Sequence, residues 1–418
     1  MRWLTESDIS NFLSTRDYDL RISGNARWID QKCTPDVVTV IADCILQYNS
    51  ENPDGEFSTV DIWRDEYTVE YVEEIFRKPK PDENAARNEY DKFFGQPMKM
   101  LAYAGVLSEV KKGNRNYYTI VNNDILEYIS IRDRNALTFL QLYIAKVLSD
   151  SGIKPLFDDL FDKQTKDSYN NLKTGFRNFL VKYTNIGSKG SDGKFECGRI
   201  FSKVVNPLAF ELNKHGTKGG HISKHKITYD MLMYNQNNFR DIYADKPKGM
   251  TRKEYAVLHP VEANNAFYTY QSSRAKRILR IYNDEHRGGV TEHIQEGQMD
   301  VQAIHCHHIF PKAWFPTISY LLENLIVITP TQHYNYAHNL GSTNEISEQY
   351  QNLLLLSKTE RIQENLLNTT LEHIYEFGKL LTVLNVGFDN DEVLEIADMD
   401  FTSVVNAINT HYGNKKAR

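Results

Sequence analysis

The sequence has few cysteines and no long apolar run, and each absence narrows what the protein can be. The four cysteines, Cys33, Cys44, Cys197 and Cys306, are far apart and form no CxxC pair. This spacing argues against a cysteine zinc site and a disulfide framework, and it is typical of a reducing cytoplasm. No apolar run approaches the roughly eighteen residues that a membrane span needs. The N-terminal stretch MRWLTESDISNFL lacks a basic head followed by a long apolar segment, so we expect no signal peptide.

The length and the charge distribution indicate several domains of unlike charge. A chain of 418 residues is too long for one compact core. The net charge is −6, but residues 182–226 contain nine Lys and Arg against three acidic residues, a net +6. Residues 340–400 contain three against twelve, a net −9. A local basic stretch can bind phosphate while an acidic region faces away, although both stretches could equally be ordinary solvated surfaces.

The pattern of helices and strands predicts a multidomain α+β protein with four regions. Residues 1–150 are predicted to form a helical and winged-helix-like domain, and residues 151–258 a basic connecting region. Residues 259–345 surround the histidine motif described below, and residues 346–418 alternate apolar and acidic residues at helical spacing, which predicts a C-terminal helical lobe. Residues 245–255 have the composition of a linker.

A helix followed at once by a hairpin predicts a winged helix in the first region. Residues 35–48 predict a buried helix that begins at a proline, and residues 84–107 predict a second helix that ends near Gly105. The stretch LSEVKKGNRNYYTIV then predicts a hairpin with its turn at Gly113-Asn114. In a winged helix the second helix enters the DNA major groove and the hairpin contacts the backbone, but the same fold also serves as a protein-docking module. The candidate DNA contacts are Lys92, Gln96 and Lys99 on the helix, and Lys111, Lys112, Asn114 and Arg115 on the hairpin.

Two further basic stretches are candidates for DNA contact. Residues 187–226 are rich in glycine, lysine and histidine, and we expect loops that stay flexible unless a partner orders them. They are either a disordered connector or a clamp that folds onto phosphates. Residues 262–287 predict a helix with a basic face. The clamp lysines would be Lys214, Lys218, Lys224 and Lys226, and the basic face consists of Arg274, Lys276, Arg277 and Arg280.

The stretch HCHHIFPKAWF, residues 305–315, contains three of the thirteen histidines of the chain within four residues. VQAIHCHHIF alternates enough to predict a strand that a proline ends. NLIVIT predicts a second strand that begins at Asn324. Thr329-Pro330 then predicts the start of a helix, with His333 in its first turns.

This order of strand, loop, strand and helix suits the hydrolysis of a phosphodiester bond. Adjacent strand residues point to opposite sides, so one of His307 and His308 can hold a metal while the other points at a water. The reaction needs a deprotonated water and charge neutralisation on the phosphate and the leaving oxygen, and a neutral imidazole is a suitable general base near pH 7. His305 shares the strand face of His307; it could support the metal or a phosphate, but we expect a solvated strand residue. We expect Cys306 to be a core residue rather than a thiolate ligand.

The motif resembles the HNH nucleases, which have a ββα-metal fold. The resemblance rests on HHIFP at residues 307–311, Asn324-Leu325 and His333, and it covers about residues 300–340. It implies that His307 and His333 bind a metal, that His308 is the general base, and that Asn324 hydrogen-bonds the backbone to hold the loop. A shift of register on the helix would make Asn335, His338 or Asn339 the second ligand. The two cysteine pairs that bind a structural zinc in many members are missing, so no structural zinc is expected.

The resemblance also implies the cofactor. Mg²⁺ is the expected ion, with phosphate oxygens and waters completing its shell. Because His307 and His333 are both nitrogen ligands, which suit later transition metals, Mn²⁺, Ni²⁺ or Co²⁺ should also support activity.

The N-terminal segment RDYDLRISGNARWIDQKCTPDVV resembles the opening of bacterial HNH-type type II restriction endonucleases, in particular type IIS enzymes that cut to one side of a short asymmetric site. This resemblance implies a cytoplasmic bacterial enzyme that cleaves double-stranded DNA and is accompanied by a DNA methyltransferase. One nuclease motif cuts one strand at a time, so a homodimer or two sequential nicks are expected. The segment also contains Arg27, Trp28, Gln31 and Lys32, for which the sequence predicts no role.

Two other functions remain open from the sequence. The first is a modification-dependent or other defence nuclease, in which the HHIFP and NL-plus-helix pattern also occurs. The second is a winged-helix DNA-binding regulator with a degenerate nuclease domain, against which the intact motif counts.

Overall fold

The computed structural model describes residues 4–53, 55–83, 87–187, 193–234, 250, 265–294, 302–337 and 347–415. The chain divides into two compact units, Trp3–Val261 and Glu262–Arg418. Both units combine helices with small antiparallel sheets, so the predicted α+β class is confirmed. The finer division into four regions stays a prediction, and the linker expected at residues 245–255 lies outside the described residues apart from Met250. None of the helices in these ranges is both long enough and apolar enough to cross a membrane.

The first unit is mainly helical. Its helices are α1 (Glu6–Ser14), α2 (Leu20–Ser23), α3 (Pro35–Glu51), α4 (Thr59–Arg64), α5 (Glu66–Phe76), α6 (Arg87–Ala104), α7 (Asn123–Ile131), α8 (Asp133–Asp150), α9 (Lys154–Lys163), α10 (Lys166–Tyr183) and α11 (Lys194–Glu211). Its strands are β1 (Phe57–Ser58), β2 (Leu107–Lys112), β3 (Arg115–Ile120), β4 (His215–Lys218) and β5 (His221–Lys226).

Helix α3 lies in the core of this unit, and every residue of its first three turns is buried, including three polar ones. Pro35 occupies the first turn, where its missing amide hydrogen is not needed. Val37 and Ile41 are fully buried, and the helix packs against α7 and α8. The helix predicted for residues 35–48 is therefore present, with one further turn at its C-terminal end.

The predicted helix and hairpin are also present. Helix α6 ends at Ala104, and the following Gly105 has a φ of 87°, which favours glycine. Gly113, with a φ of 60°, forms the turn between β2 and β3, which pair with Lys112 opposite Arg115. Strand β1 pairs with the other edge of β3, so the sheet has the order β1-β3-β2.

The expectation of flexible loops over residues 187–226 is wrong for the part that the structure describes. Residues from Lys194 onward form α11, and the glycine- and lysine-rich segment after it forms the β4–β5 hairpin. The helix forms because residues such as Phe201, Val204 and Val205 bury one face. The two glycines at residues 219 and 220, both with positive φ, form the hairpin turn.

The second unit contains a two-stranded sheet surrounded by helices. Its helices are α12 (Asn265–Arg287), α13 (Glu348–Leu367), α14 (Phe377–Phe388) and α15 (Phe401–Lys415), and its strands are β6 (His305–His308) and β7 (Leu325–Ile328). A π-helical turn, Gln332–Ala337, follows β7. The helix predicted at residues 262–287 and the helices predicted after residue 345 are thus present.

A buried ion pair holds β7 in place through hydrogen bonds to its backbone. The Lys358 ammonium donates to Glu292 Oε1 at 3.0 Å and to the Tyr375 hydroxyl at 2.8 Å. The Lys358 and Glu292 side chains are 0% and 1% exposed. The other carboxylate oxygen of Glu292 accepts from the Val327 amide at 2.6 Å, and the Glu292 amide donates to the Val327 carbonyl at 2.8 Å. The pair therefore fixes the strand that precedes the π-helical turn.

Candidate active site

Strand β6 places its three histidines on the two faces of the small sheet. His305 pairs opposite Ile328 and His307 opposite Ile326, so these two side chains share one face. His307 is 5% exposed. His308, opposite Leu325, belongs to the other face. The strand expected from the alternation in VQAIHCHHIF is therefore present, although it is limited to four residues.

A capping arrangement begins the turn that carries His333. The Gln332 amide donates to Thr329 Oγ1 at 3.1 Å, and the Thr329 amide donates to Gln332 Oε1 at 3.0 Å. Pro330 follows the capping threonine, which is the position that proline favours. Gln332 is also anchored by the Thr291 hydroxyl at 2.6 Å. These contacts fix the start of the turn that carries His333.

Three histidine rings come together on the face of His307. The ring centroids of His307 and His333 are 5.3 Å apart, with the planes at 81°. The His305 ring stacks on His333 at 4.8 Å and 14°, and Tyr334 contacts both His305 and His333. His305 is half-buried, so the expected solvated position is wrong: the capped turn brings His333 and Tyr334 over the strand face that His305 shares with His307.

The separation of the two predicted ligands fits a shared metal ion. An imidazole nitrogen binds a metal at about 2.1 Å, which puts the ring centroid roughly 3.2 Å from the ion. Two such ligands at ~90–110° therefore have centroids ~4.5–5.2 Å apart. The observed 5.3 Å between His307 and His333 is close to the upper end of this interval. Within the described residues no group of three or more His, Cys, Asp or Glu side chains is arranged to hold a metal; the fit concerns two protein ligands only.

The other face of β6 holds His308 in one orientation. Its Nε2 lies 3.1 Å from the Ser319 carbonyl oxygen and 2.9 Å from Ser272 Oγ. A carbonyl oxygen can only accept, so Nε2 carries the proton of the neutral ring. The lone pair is therefore on Nδ1, the atom that can take a proton from water.

Burial and two nearby cations keep His308 neutral. Burial lowers the pKa of His308 to about 4; the positive charges of Lys276 and Lys312 act in the same direction, and the hydrogen bond to Ser319 partly opposes them. Lys312 Nζ donates to Thr269 Oγ1 at 2.5 Å, which fixes it beside α12. The site thus combines a neutral imidazole with ammonium groups, an environment that suits an anionic substrate.

Asn324 ties together the loop between β6 and β7. Its side chain is fully buried, and its Oδ1 accepts from the Phe310 amide at 2.8 Å. Its Nδ2 donates to the Phe310 carbonyl at 3.0 Å and to the Ile318 carbonyl at 3.2 Å. Because Ser319 follows Ile318, the same contacts position the carbonyl that holds His308.

Sequence reasoning did not identify several groups around His308. Ser272 and Ser319 contact the ring, and Lys312 acts on it electrostatically. Lys312 could have been found from its place directly after the HHIFP motif, whereas Ser272 is 36 residues away from His308 and only the packing of α12 brings it close. Lys276 was expected only on the basic face.

The remaining alternatives at the motif differ in what the structure describes. The Cys306 side chain is half-buried, so the expected core position is met only in part. Desolvation by its surroundings raises the pKa of the thiol to about 12, so the thiol is protonated at neutral pH and is not a thiolate. His338 and Asn339, the alternative ligands, lie outside the described residues, and so does the Asn335 side chain.

The candidate DNA contacts of the first unit differ in accessibility. Gln96 is half-buried, and its Oε1 accepts from the Lys32 amide at 2.9 Å. Lys99 is also half-buried. Lys112 pairs with Glu56. The exposed candidates are Lys92, Lys111, Lys112, Asn114, Arg115, Lys218, Lys224 and Lys226, whereas Lys214 is half-buried.

The segment that had no predicted role holds parts of this unit together. Trp28 is fully buried, and its carbonyl accepts from the Tyr143 hydroxyl at 2.6 Å. Arg27 pairs with Asp30. Lys32 donates to the Tyr234 hydroxyl at 2.8 Å.

On the basic face of the second unit, Arg274, Lys276 and Arg277 are half-buried and Arg280 is exposed. Arg274 lies over the ring of Tyr270, 5.5 Å from its centroid.

Comparisons of this chain with protein-family models, with curated proteins and with solved structures find no match.

Proposed function

We propose that the chain is a metal-dependent endonuclease of the HNH, ββα-metal type that cleaves double-stranded DNA at specific sites, as a type II restriction enzyme of type IIS. One observation carries this proposal. The β6–β7 hairpin and the turn after it bring His307 and His333 to a separation that fits one metal, while the Ser319 carbonyl, 3.1 Å from His308 Nε2, favours the tautomer that leaves the lone pair on Nδ1. A restriction enzyme of this kind implies a companion methyltransferase that protects host DNA.

His308 performs the proton transfer in the proposed reaction. Its Nε2–H is engaged by the Ser319 carbonyl, so Nδ1 accepts a proton from the attacking water. Because the pKa of His308 is about 4, Nδ1 is unprotonated at neutral pH before the reaction begins. Asn324 keeps the loop, and with it the Ser319 carbonyl, in place.

The other groups of the site act on charge. A divalent ion held by His307 and His333 would neutralise the charge that develops on the phosphate and the leaving oxygen. Lys276 and Lys312 add positive charge near His308, where they attract a phosphodiester. The same two cations also disfavour protonation of the His308 imidazole. Their position therefore favours both the binding of an anionic substrate and an unprotonated general base.

Recognition is assigned to the first unit. The order α3, β1, α4 and α5, α6, β2, β3 with the sheet order β1-β3-β2 is the order expected of a winged helix, and it supports DNA contact by α6 and by the basic hairpin tip. The β4–β5 hairpin presents further exposed lysines. Neutralising Lys214, Lys218, Lys224 and Lys226 together should weaken binding to all sequences alike. It should also reduce the log–log salt slope by about 0.9 for each DNA phosphate that the protein no longer neutralises; an unchanged slope would eliminate the clamp.

The direct test is digestion of phage DNA in the presence of Mg²⁺ or Mn²⁺. Discrete fragments are expected, and run-off sequencing of their ends would give the site and the cut offset. A smear would contradict site specificity, and cleavage only of modified DNA would favour the modification-dependent alternative. No cleavage with any of Mg²⁺, Mn²⁺, Ni²⁺ and Co²⁺ would refute the nuclease and favour the regulator.

The role of His308 has its own variant. His308→Ala should lower the cleavage rate by about a hundredfold to ten-thousandfold but leave metal-free DNA binding unchanged, since this side chain is assigned to proton transfer. His373→Ala is the matched control, because His373 is an exposed histidine of the same unit. A His308→Ala rate above about a tenth of the wild-type rate would contradict the assignment.

A further inference from the structure

A cleft of about 660 Å³ lies in the first unit. Its walls are the segment before α3, the helix α11, the β4–β5 hairpin and residues 227–234. This volume falls in the range of about 300–1,000 Å³ that is typical of small-molecule and cofactor sites. None of the residues assigned to the histidine site lines it.

The walls of the cleft are fixed by side-chain hydrogen bonds. Asn206 of α11 accepts from the Thr217 amide at 2.8 Å and donates to the Thr217 carbonyl at 3.1 Å, which locks the hairpin to the helix. The Tyr234 hydroxyl accepts from Lys32 at 2.8 Å and from Lys78 at 3.0 Å, and the Tyr234 amide donates to Asp36 at 2.9 Å. The cleft is therefore formed before a ligand arrives.

The charge of the lining is positive. Arg199, Lys203 and Lys218 line the cleft, whereas Asp230 is the one carboxylate in the part of the lining that the structure describes. Within the described residues none of these three basic side chains forms an ion pair. Burial lowers the pKa of Lys203, an effect that Asp36 only partly offsets. An anion bound beside Lys203 would therefore stabilise its charged form.

A second observation points to a ligand with hydrogen-bonding groups. Thr34 lines the cleft and is 1% exposed. Its hydroxyl has no hydrogen-bond partner among the described residues, and an unsatisfied buried hydroxyl costs free energy. The lining also includes an aromatic ring, that of Tyr234, and the apolar side chains of Ile227 and Leu232. A ligand that combines an anionic group, a flat ring and polar edges matches this lining.

We propose that this cleft binds a nucleotide, with its phosphate on Arg199, Lys203 and Lys218 and its base on the side of Tyr234 and Leu232. The nucleotide is either free or part of a DNA strand, and only the second source rests on the proposed nuclease function. Either source uses the same chemistry, because the phosphate supplies the negative charge and the base supplies the flat, polar-edged ring.

The test compares two double variants of the full chain. Arg199→Gln/Lys203→Gln removes two cationic groups from the cleft, and Lys154→Gln/Lys166→Gln removes two exposed ones from α9 and α10. Binding of the four deoxynucleoside monophosphates and of inorganic phosphate is measured by calorimetry, and binding of a short DNA duplex by fluorescence anisotropy, all without divalent metal. The cleft variant should lose at least about tenfold in affinity for a mononucleotide or for the duplex, while the control variant should not.

The outcomes separate the two sources and the alternatives. Loss of mononucleotide binding alone identifies a free nucleotide, and loss of duplex binding alone identifies a nucleotide within DNA. Unchanged affinity for both probes, or inorganic phosphate binding as tightly as the mononucleotides, overturns the proposal. Arg199→Gln alone, at an exposed position, covers the case in which the double variant fails to fold and should still weaken binding. Since these measurements need neither metal nor cleavage, their failure leaves the test of His308 untouched.

Discussion

Replacing Asn324 by alanine should loosen the loop between β6 and β7 more than any other single truncation of a polar residue near His308. The change removes one acceptor and two donated hydrogen bonds, and it leaves the Phe310 amide, the Phe310 carbonyl and the Ile318 carbonyl without these partners. Phe310 and Ile318 are 3% and 1% exposed, so water does not readily replace the asparagine side chain. Each orphaned buried group costs about 1–3 kcal/mol, and partial relaxation brings the expected total to about 3 kcal/mol.

Hydrogen exchange of the Phe310 amide measures this cost locally. A loss of about 3 kcal/mol in local opening free energy corresponds to exchange that is about 150-fold faster. Asn385→Ala is the control, because it truncates an asparagine of the same unit whose amide group bonds only the exposed Asp391. Asn324→Asp should rescue little, because a second carboxylate oxygen would face two carbonyls. A change of less than about fivefold at Phe310 would refute the reasoning.

Three further predictions follow from charged and metal-binding groups. Glu292→Ala leaves the fully buried Lys358 ammonium without its carboxylate and should lower the free energy of unfolding in urea by about 3–5 kcal/mol. The double variant Glu292→Gln/Lys358→Met should recover most of that loss. Wild-type stability of Glu292→Ala would contradict the pairing. The acid limb of the cleavage rate should lie near pH 4, because His308 has a pKa of about 4, and a limb near 6.5 in the pH–rate profile would show that burial does not act on the base. The lowered pKa of His308 also affects folding stability. Because the unfolded chain binds the His308 proton more tightly than the folded chain does, the free energy of unfolding should rise with pH between about 4 and 6.5. Wild type should need more Mg²⁺ than Mn²⁺ for half-maximal cleavage, and His307→Asp should shift the preference toward Mg²⁺; unchanged titration curves would mean that His307 is not a ligand.

Local signals in the sequence predicted the elements that depend on neighbouring residues. Pro35 and Gly105 set the ends of two helices, and Gly113 set the hairpin turn, because proline and glycine restrict or permit particular backbone angles whatever surrounds them. The strand containing the histidines was predicted from alternation. A helix with His333 in its first turns was predicted from Thr329-Pro330, and the described residues there form a π-helical turn.

The errors occurred where tertiary contacts decide. The composition of residues 187–226 indicated loops, because the many glycines and lysines obscure the helical spacing of the apolar residues. Val204 and Val205 nevertheless lie on the buried face of a helix. The hairpin after that helix is held by Asn206, and a single sequence does not reveal such a partner. His305 was expected in solvent because strand alternation gives a face but not what covers it. The contact between Ser272 and His308 depends on the packing of α12, and no local pattern encodes it.

The hydrogen bonds between Glu292 and Val327 have a consequence for how two copies could associate. Among the strands that the structure describes, β7 pairs with β6 alone, so its other side is a sheet edge of the kind that can recruit a strand from another molecule. Glu292 already occupies both the amide and the carbonyl of Val327 on that side. A second copy therefore cannot extend the hairpin by strand addition at Val327. If cleavage of both DNA strands needs two subunits, the two copies must meet elsewhere than by strand pairing at Val327.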